Sequence, residues 1–175
     1  PGVAQPSQTR FETLLATAIE PMDIGRTVYI EGESARIGRL TLPRTLLGNM
    51  RSAPCIEIQA SPSERLAYLL RDYAYLGADG PALASRLDCL TPTLGQEGVQ
   101  RWQQWAQADV LQPLFAELMA LHYDPHYERS QARQFNTWAQ RQQVAAASLS
   151  EPGIADTASQ VLALAPASMT GQNAP

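Results

Sequence analysis

The sequence contains no lysine: all 13 of its basic residues are arginine. That absence excludes a Walker A loop, G-x-x-x-x-G-K-[ST], whose lysine reaches the β- and γ-phosphates. An arginine-favouring, GC-rich genome accounts for the bias as readily as function does. Cysteine is scarce as well. Cys55 and Cys89 stand far apart with no CxxC or Cys/His spacing, so neither a zinc site nor a disulfide framework is indicated, and no metal site is expected. The cytoplasm is the default compartment for such cysteine usage. No apolar run approaches the roughly 18 to 20 residues that a membrane span needs, so no membrane partner is expected. A net charge of -4 gives no general attraction to nucleic acid, which leaves only a local arginine patch for that purpose.

What is present suits one domain with a sizeable core, since 45% of the 175 residues are apolar. The opening PGVAQPSQ has neither a basic nor an apolar signal region and no initiator Met. With a helical pattern beginning a few residues in, it reads as the continuation of something longer. Ser7 can cap a helix in which Phe11, Leu14, Leu15, Ala18 and Ile19 recur at helical spacing. Pro21 stops that helix, and a strand is predicted at 27–30. LTLPRTLLGNMRSA (40–53) predicts a helix from about Pro43, PCIEIQ (54–59) a second strand, and SPSERLAYLLRDYAYLG (61–77) a helix capped by Ser61 or Ser63. Strand, helix, strand, helix with short links argues for a parallel α/β sheet, but two strands are too few to complete one.

From Gly80 onward the pattern is helical, with helices predicted at 81–90, 95–108, 110–123 and 125 to about 143. The Trp and Met stripes there have core spacing. Asp124 before Pro125 reads as a helix start. Residues 144–175, rich in Ala, Ser and Pro, are expected to be a mostly disordered tail with a transient helix near 154–164. The domains are thus expected at 1–78 (α/β), 79–143 (helical subdomain) and 144–175 (tail).

The stretch VYIEGESARIG (28–38) holds the most chemistry. Apolar Val28, Tyr29 and Ile30 lead into Glu31, Glu33, Ser34 and Arg36, the arrangement of a strand delivering charge to the carboxyl edge of a sheet, where ligands of open α/β folds bind. Its carboxylates could hold a metal or orient a nucleophile, and Arg36 could pair with them or with a phosphate. An edge strand followed by a solvated turn explains the pattern equally well.

Six strings occur together: QPSQTRFETLL (5–15), IEGESARIG (30–38), LP (42–43), MRSAP (50–54), SERL (63–66) and HYDPHYERS (122–130). In this order and approximate spacing they resemble the bacterial tRNA 2-selenouridine synthases, over roughly residues 1–140. The resemblance implies a fragment of a P-loop NTPase-like parallel sheet followed by a C-terminal helical subdomain. It also implies amino-terminal rhodanese and P-loop regions outside this chain, so that Cys55 and Cys89 inherit no catalytic role and the fragment alone is inactive. The implied reaction replaces the sulfur of wobble 2-thiouridine in tRNA with selenium from selenophosphate, by way of an S-geranylated intermediate. Selenophosphate, geranyl diphosphate and the tRNA anticodon loop are then the partners, no cofactor is held within this chain, and a magnesium requirement stays open.

Carried over by position, the resemblance assigns Glu31, Glu33 and Arg36 to catalysis. It assigns Gln5, Ser7, Gln8, Ser34 and Arg39 to substrate and phosphate binding. Tyr123, Tyr127, Arg129 and Arg133 are assigned to tRNA, the tyrosines as stacking platforms for a splayed base and the arginines as bidentate phosphate contacts. Packing at a helix start is the competing role for the tyrosines, and a surface or core position is expected for His122 and His126. The family usually has Asp where Gly32 stands and often Arg where Ala35 stands, so a metal or water-orienting role would fall to Glu31 and Glu33. Two other readings stay open: a stand-alone tRNA-binding module without catalysis, and a fragment of a P-loop small-molecule kinase.

Overall fold

The computed structural model describes residues 4–164, and the chain divides into two compact units. One takes the residues up to Cys55 together with Gln131–Arg141, and the other takes Ile56–Ser130 with Gln142–Leu164.

The first unit begins with α1 (Gln8–Ile19), capped as expected: the Ser7 hydroxyl accepts from Arg10 N at 3.3 Å. Its apolar stripe is uncovered, with Leu14 and Ile19 about half exposed. The expected strand at 27–30 is absent. These residues have no regular secondary structure, and Val28, Tyr29 and Ile30 are all exposed. The physical reason is that a strand exists through its ladder partners, and none is supplied to this segment among the described residues. Regular structure begins further on, inside the charged motif, where β1 (Arg36–Ile37) and β2 (Leu40–Thr41) form a two-stranded antiparallel hairpin about Gly38 and Arg39. Leu40 points inward and is buried. Next comes α2 (Arg44–Ser52), started by Pro43 as predicted. Residues 131–141 join this unit through Asn136 N, which donates to Arg51 O, and through Thr137, whose hydroxyl donates to Ala53 O.

The second unit is organised by β3 (Ile56–Ala60) and β4 (Gln142–Ala146), paired in parallel from Ile56↔Gln142 to Ala60↔Ala146. The second predicted strand therefore exists, shifted by a residue or two. Its partner comes from the stretch that composition marked as tail. Val144 and Ala146 are buried, and α9 (Glu151–Ala163) follows, its start capped by the Ser150 hydroxyl. Low charge and small side chains describe a buried strand and a packed helix as well as they describe a tail, so composition could not separate the two. The tail expectation for residues 165–175 lies outside the described residues.

Between these strands run α3 (Pro62–Asp72), capped by Ser61, then α4 (Gly80–Leu87), α5 (Thr91–Leu94), α6 (Gln96–Gln107) and α7 (Leu111–Leu118). Leu83, Leu87, Val99, Trp102, Leu114 and Phe115 form the core, as the helical spacing of the tryptophans and leucines predicted. α7 passes without interruption through one π-helical turn (Met119–Tyr123) into α8 (Asp124–Gln134). Asp124 is therefore inside a helix and not at its start. Pro125 has no N–H for the preceding turn and its ring crowds the carbonyl there, and a widened turn directly before it absorbs both. α8 ends at Gln134, well short of the predicted 143, because the chain must straighten to enter β4. Overall, the described residues make a mostly helical chain with a small parallel sheet, compatible with an α/β class. No helix among them is long and apolar enough to cross a membrane.

Candidate functional site

In the first unit, the hairpin that carries the charged motif is held from one side by two glutamine side chains. Gln5 donates from Nε2 to Ile37 O at 2.7 Å and accepts from Arg39 N at 3.1 Å through Oε1, while the Arg39 guanidinium donates to Gln5 O at 2.9 Å. Gln8 repeats the pattern on Thr41, accepting from its N–H at 3.0 Å and donating to its carbonyl at 2.8 Å. Each side-chain amide thus does what a neighbouring strand's backbone would do. The Gln8 amide also donates to Glu12 at 2.7 Å. Gln5, Ser7, Gln8 and Arg39, assigned from the resemblance to phosphate binding, are committed here to building the hairpin and capping α1.

Glu31 and Ser34 are likewise engaged locally. A Glu31 carboxylate oxygen accepts from Glu33 N at 3.2 Å and the Ser34 hydroxyl accepts from Arg36 N at 3.0 Å, two side-chain turns that fix the loop ahead of β1. Glu33 and Arg36 are different. Both are exposed, and among the described residues neither the Glu33 carboxylate nor the Arg36 guanidinium has a hydrogen bond or an ion pair. A carboxylate and a guanidinium three residues apart, on a loop fixed by its neighbours, are the charged groups of this motif left available to a ligand.

Behind the loop stands a residue that sequence reasoning did not single out. A Cβ placed on Gly32 would lie 2.9 Å from Phe135 Cζ, so the phenyl ring fills the space next to position 32. The only signal in the sequence was the unusual glycine itself.

In the second unit, two of the strings noted in the sequence meet. Arg65 of SERL makes a two-pronged ion pair with Asp124 of YDP. Glu64 of the same string accepts from Leu149 N at 3.1 Å. The Tyr123 and Tyr127 rings stack with centroids 5.8 Å apart, Tyr123 being about half exposed, and His122 and His126 stack at 6.1 Å. Arg129 donates from Nε to Pro125 O at 2.8 Å, one turn back on its own helix. Arg133, further along α8, is exposed. Of the tRNA assignments, Tyr123, Tyr127 and Arg129 belong to the second unit, whereas Arg133 belongs to the first, with Glu31, Glu33 and Arg36. Among the described residues no group of three or more His, Cys, Asp or Glu is placed to hold a metal ion. Cys55 is half-buried with its Sγ 3.3 Å from the Thr137 hydroxyl, a packing position, and Cys89 is exposed.

Fold and site together define a small, mostly helical protein with a parallel strand pair and a polar hairpin that offers one unpaired carboxylate and one unpaired guanidinium. Residues 2–80 match the family described as the tRNA 2-selenouridine synthase AAA domain. Curated relatives agree. A tRNA 2-selenouridine synthase of Marinobacter nauticus is 32% identical over 55% of this chain and 31% of that protein. Those of Shewanella denitrificans (29% identical, 71% of this chain, 41% of that protein) and Alcanivorax borkumensis (28% identical, 78% and 45%) match over longer spans. These matches make the chain similar, over part of its length, to the bacterial tRNA 2-selenouridine synthases. It spans less than half the length of these relatives. No solved structure matches it.

Proposed function

We propose that the chain is part of a tRNA 2-selenouridine synthase, which exchanges the sulfur of wobble 2-thiouridine for selenium from selenophosphate through S-geranyl-2-thiouridine, and that it is inactive without the rest of the protein. The match of residues 2–80 to the tRNA 2-selenouridine synthase AAA domain and the similarity to curated synthases support the tRNA-modifying role. One observation carries the site: within the matched segment, Glu33 and Arg36 are exposed and unpaired on a hairpin braced by Gln5 and Gln8.

The chemistry suits such a pair. Geranyl transfer to sulfur releases a diphosphate, and selenium addition at C2 releases a thiolate, so both steps need a cation positioned for a departing or incoming anion. Arg36 supplies a bidentate fork for a phosphate group, and Glu33 can orient it or take a proton. Tyr123 and Tyr127, already stacked, give a splayed wobble base an aromatic surface, with Arg129 and Arg133 contributing charge for the backbone. In this reading the parallel strands extend a P-loop NTPase-type sheet whose remaining strands lie in other parts of the full-length protein, and the work on tRNA takes place in the cytoplasm.

The test uses the full-length enzyme with Glu33→Gln and Arg36→Ala. Mass spectrometry of tRNA nucleosides should find selenouridine abolished in both variants while circular dichroism stays native. Wild-type selenouridine formation in both would overturn the assignment.

A further inference from the structure

Within the charged motif, exposure alternates by position. Gly32 and Ala35 are partly buried, while Glu33 and Arg36, the residues directly after them, are exposed. The loop thus turns one side inward and presents its free carboxylate and guanidinium on the other. The Arg36 end is fixed by the hairpin: Leu42 N donates to Ala35 O at 3.0 Å, and β1 pairs with β2 at Arg36 and Ile37. The Glu33 end has no such bracing. Its bond from Glu33 N to the Glu31 carboxylate, 3.2 Å long, lies within the loop. Among the described residues no hydrogen bond or ion pair ties residues 31–33 to another element.

What reaches the Glu33 end from elsewhere is the ring of Phe135. A Cβ on Gly32 would lie 2.9, 3.4 and 3.6 Å from its Cζ, Cε2 and Cε1 atoms, so the outer edge of the ring lies against the glycine. Backbone conformation does not call for glycine here. Among the described residues the glycines with positive φ are Gly38 and Gly95, so the missing side chain at position 32 makes room for the ring and not for a strained turn. The ring is itself held in place. Asn136 N donates to Arg51 O at 2.9 Å, the Thr137 hydroxyl donates to Ala53 O, and Trp138 is buried. All of these residues belong to the same unit as the loop. Residues 135–138 are therefore anchored at the end of α2, and they set an aromatic ring on the inner side of the loop, one residue from Glu33.

We propose that Phe135 is a positioning residue: its ring, seated on Gly32, fixes the direction in which Glu33 is presented. A packing contact of this kind removes conformations that a free loop would sample, so the carboxylate meets its ligand without a further ordering cost. The catalytic role of Glu33 rests on the proposed function, whereas the hold of the ring on the loop rests on the contact alone.

Nitrogen-15 relaxation on the 175-residue chain reads the loop directly. In the parent, the backbone order parameters of Gly32 and Glu33 should match those of the hairpin, at about 0.85, and in Phe135→Ala they should fall below about 0.6 while Ile37 and Leu40 keep parental values. Phe135→Leu keeps most of the apolar volume, guards against failure to fold and should give an intermediate loss. In the full-length enzyme, Phe135→Ala should lower kcat for selenouridine formation at least about tenfold with KM for tRNA unchanged, because a catalytic group out of position costs rate and not binding. Gly32→Ala should lower kcat as well. Adding Phe135→Leu to it should recover part of the loss, since the shorter side chain withdraws the atoms that the new Cβ strikes. Unchanged order parameters in Phe135→Ala, a parent loop as mobile as that of the variant, or an even loosening across residues 31–41 would overturn the proposal. So would parental kcat in Phe135→Ala where Glu33→Gln is inactive. If Glu33→Gln makes selenouridine at the parental rate while Phe135→Ala frees residues 31–33, the site in the proposed function falls and the hold of the ring on the loop stands.

Discussion

The ring of Phe135 occupies the place of a side chain at position 32, with Cζ 2.9 Å from where the Cβ of that residue would lie. Gly32 and Phe135 therefore form a matched pair, separated by a hundred residues in sequence and adjacent in one unit. The Asp that the family resemblance implies at this position cannot enter unless the ring moves. Gly32→Asp should cost about 1–3 kcal/mol by overpacking, read from the urea midpoint, and the same change on a Phe135→Ala background should cost clearly less. Additive costs would show that the two positions are not coupled.

Gln5 grips the hairpin on both sides of Gly38, through Ile37 O and Arg39 N, and Gly38 has φ of +62°. Gly38→Ala meets two penalties: the left-handed backbone, about 1–2 kcal/mol, and a Cβ 2.6 Å from Gln5 Nε2. Gln5→Ala alone should cost about 1 kcal/mol, because its bonds are exposed to competing water. Combining the two should be milder than their sum, since the first change removes the atom that the second strikes. Thermal unfolding of the four proteins checks this.

Glu117 accepts from both Arg101 (2.6 Å) and the Trp102 indole N–H (2.7 Å) through one carboxylate oxygen. Trp102 is 1% exposed, so Glu117→Ala leaves a buried donor without a partner and should cost about 1–3 kcal/mol, while Glu117→Gln keeps an acceptor and should cost less. Urea unfolding of the two variants measures the difference.

The same contacts set a pH dependence. Arg101 first, and then Trp102, hold the Glu117 carboxyl below its usual value. Arg71, and then Tyr68, do the same for Asp72. A lowered folded-state pKa contributes stability that is present above the unfolded value and is lost as pH falls through the folded one. Stability should thus decline on acidification below the ordinary carboxylate range, and the decline should be shallower in Glu117→Gln. An identical acid limb in that variant would remove Glu117 from the account.

β4 and α9 supply the parallel partner of β3 and its cover. A chain ending at Arg141 should therefore melt at a lower temperature and self-associate through the bared edge of β3, which calorimetry and light scattering would detect.

The local grammar of the chain was legible in its residues. Ser7 and Ser61 cap where they were expected to, Pro43 starts α2, and the leucine and tryptophan stripes of the helical region form its core. The stretch at 28–30 misled because alternation and apolarity state what a segment would bury, not whether a ladder partner is there to meet it. Residues 144–150 misled in the opposite sense, since an Ala-rich strand carries little that composition can recognise, whereas the helix expected near 154–164 is present as α9 and packs against β4 instead of being transient.

By itself the sequence determined the family resemblance and the short-range structure, because motifs, caps and helical periodicity act over a few residues and need no distant partner. Only the tertiary structure decided which polar residues of the motif remain available. It spends Gln5, Gln8, Ser34 and Glu31 on backbone groups and, among the described residues, leaves Glu33 and Arg36 unpaired. It also set Phe135 against Gly32, Arg65 against Asp124 and β4 against β3. Each of these pairings joins residues more than fifty positions apart, and hydrogen bonding and packing at such separation depend on how the chain folds back, which no local pattern records.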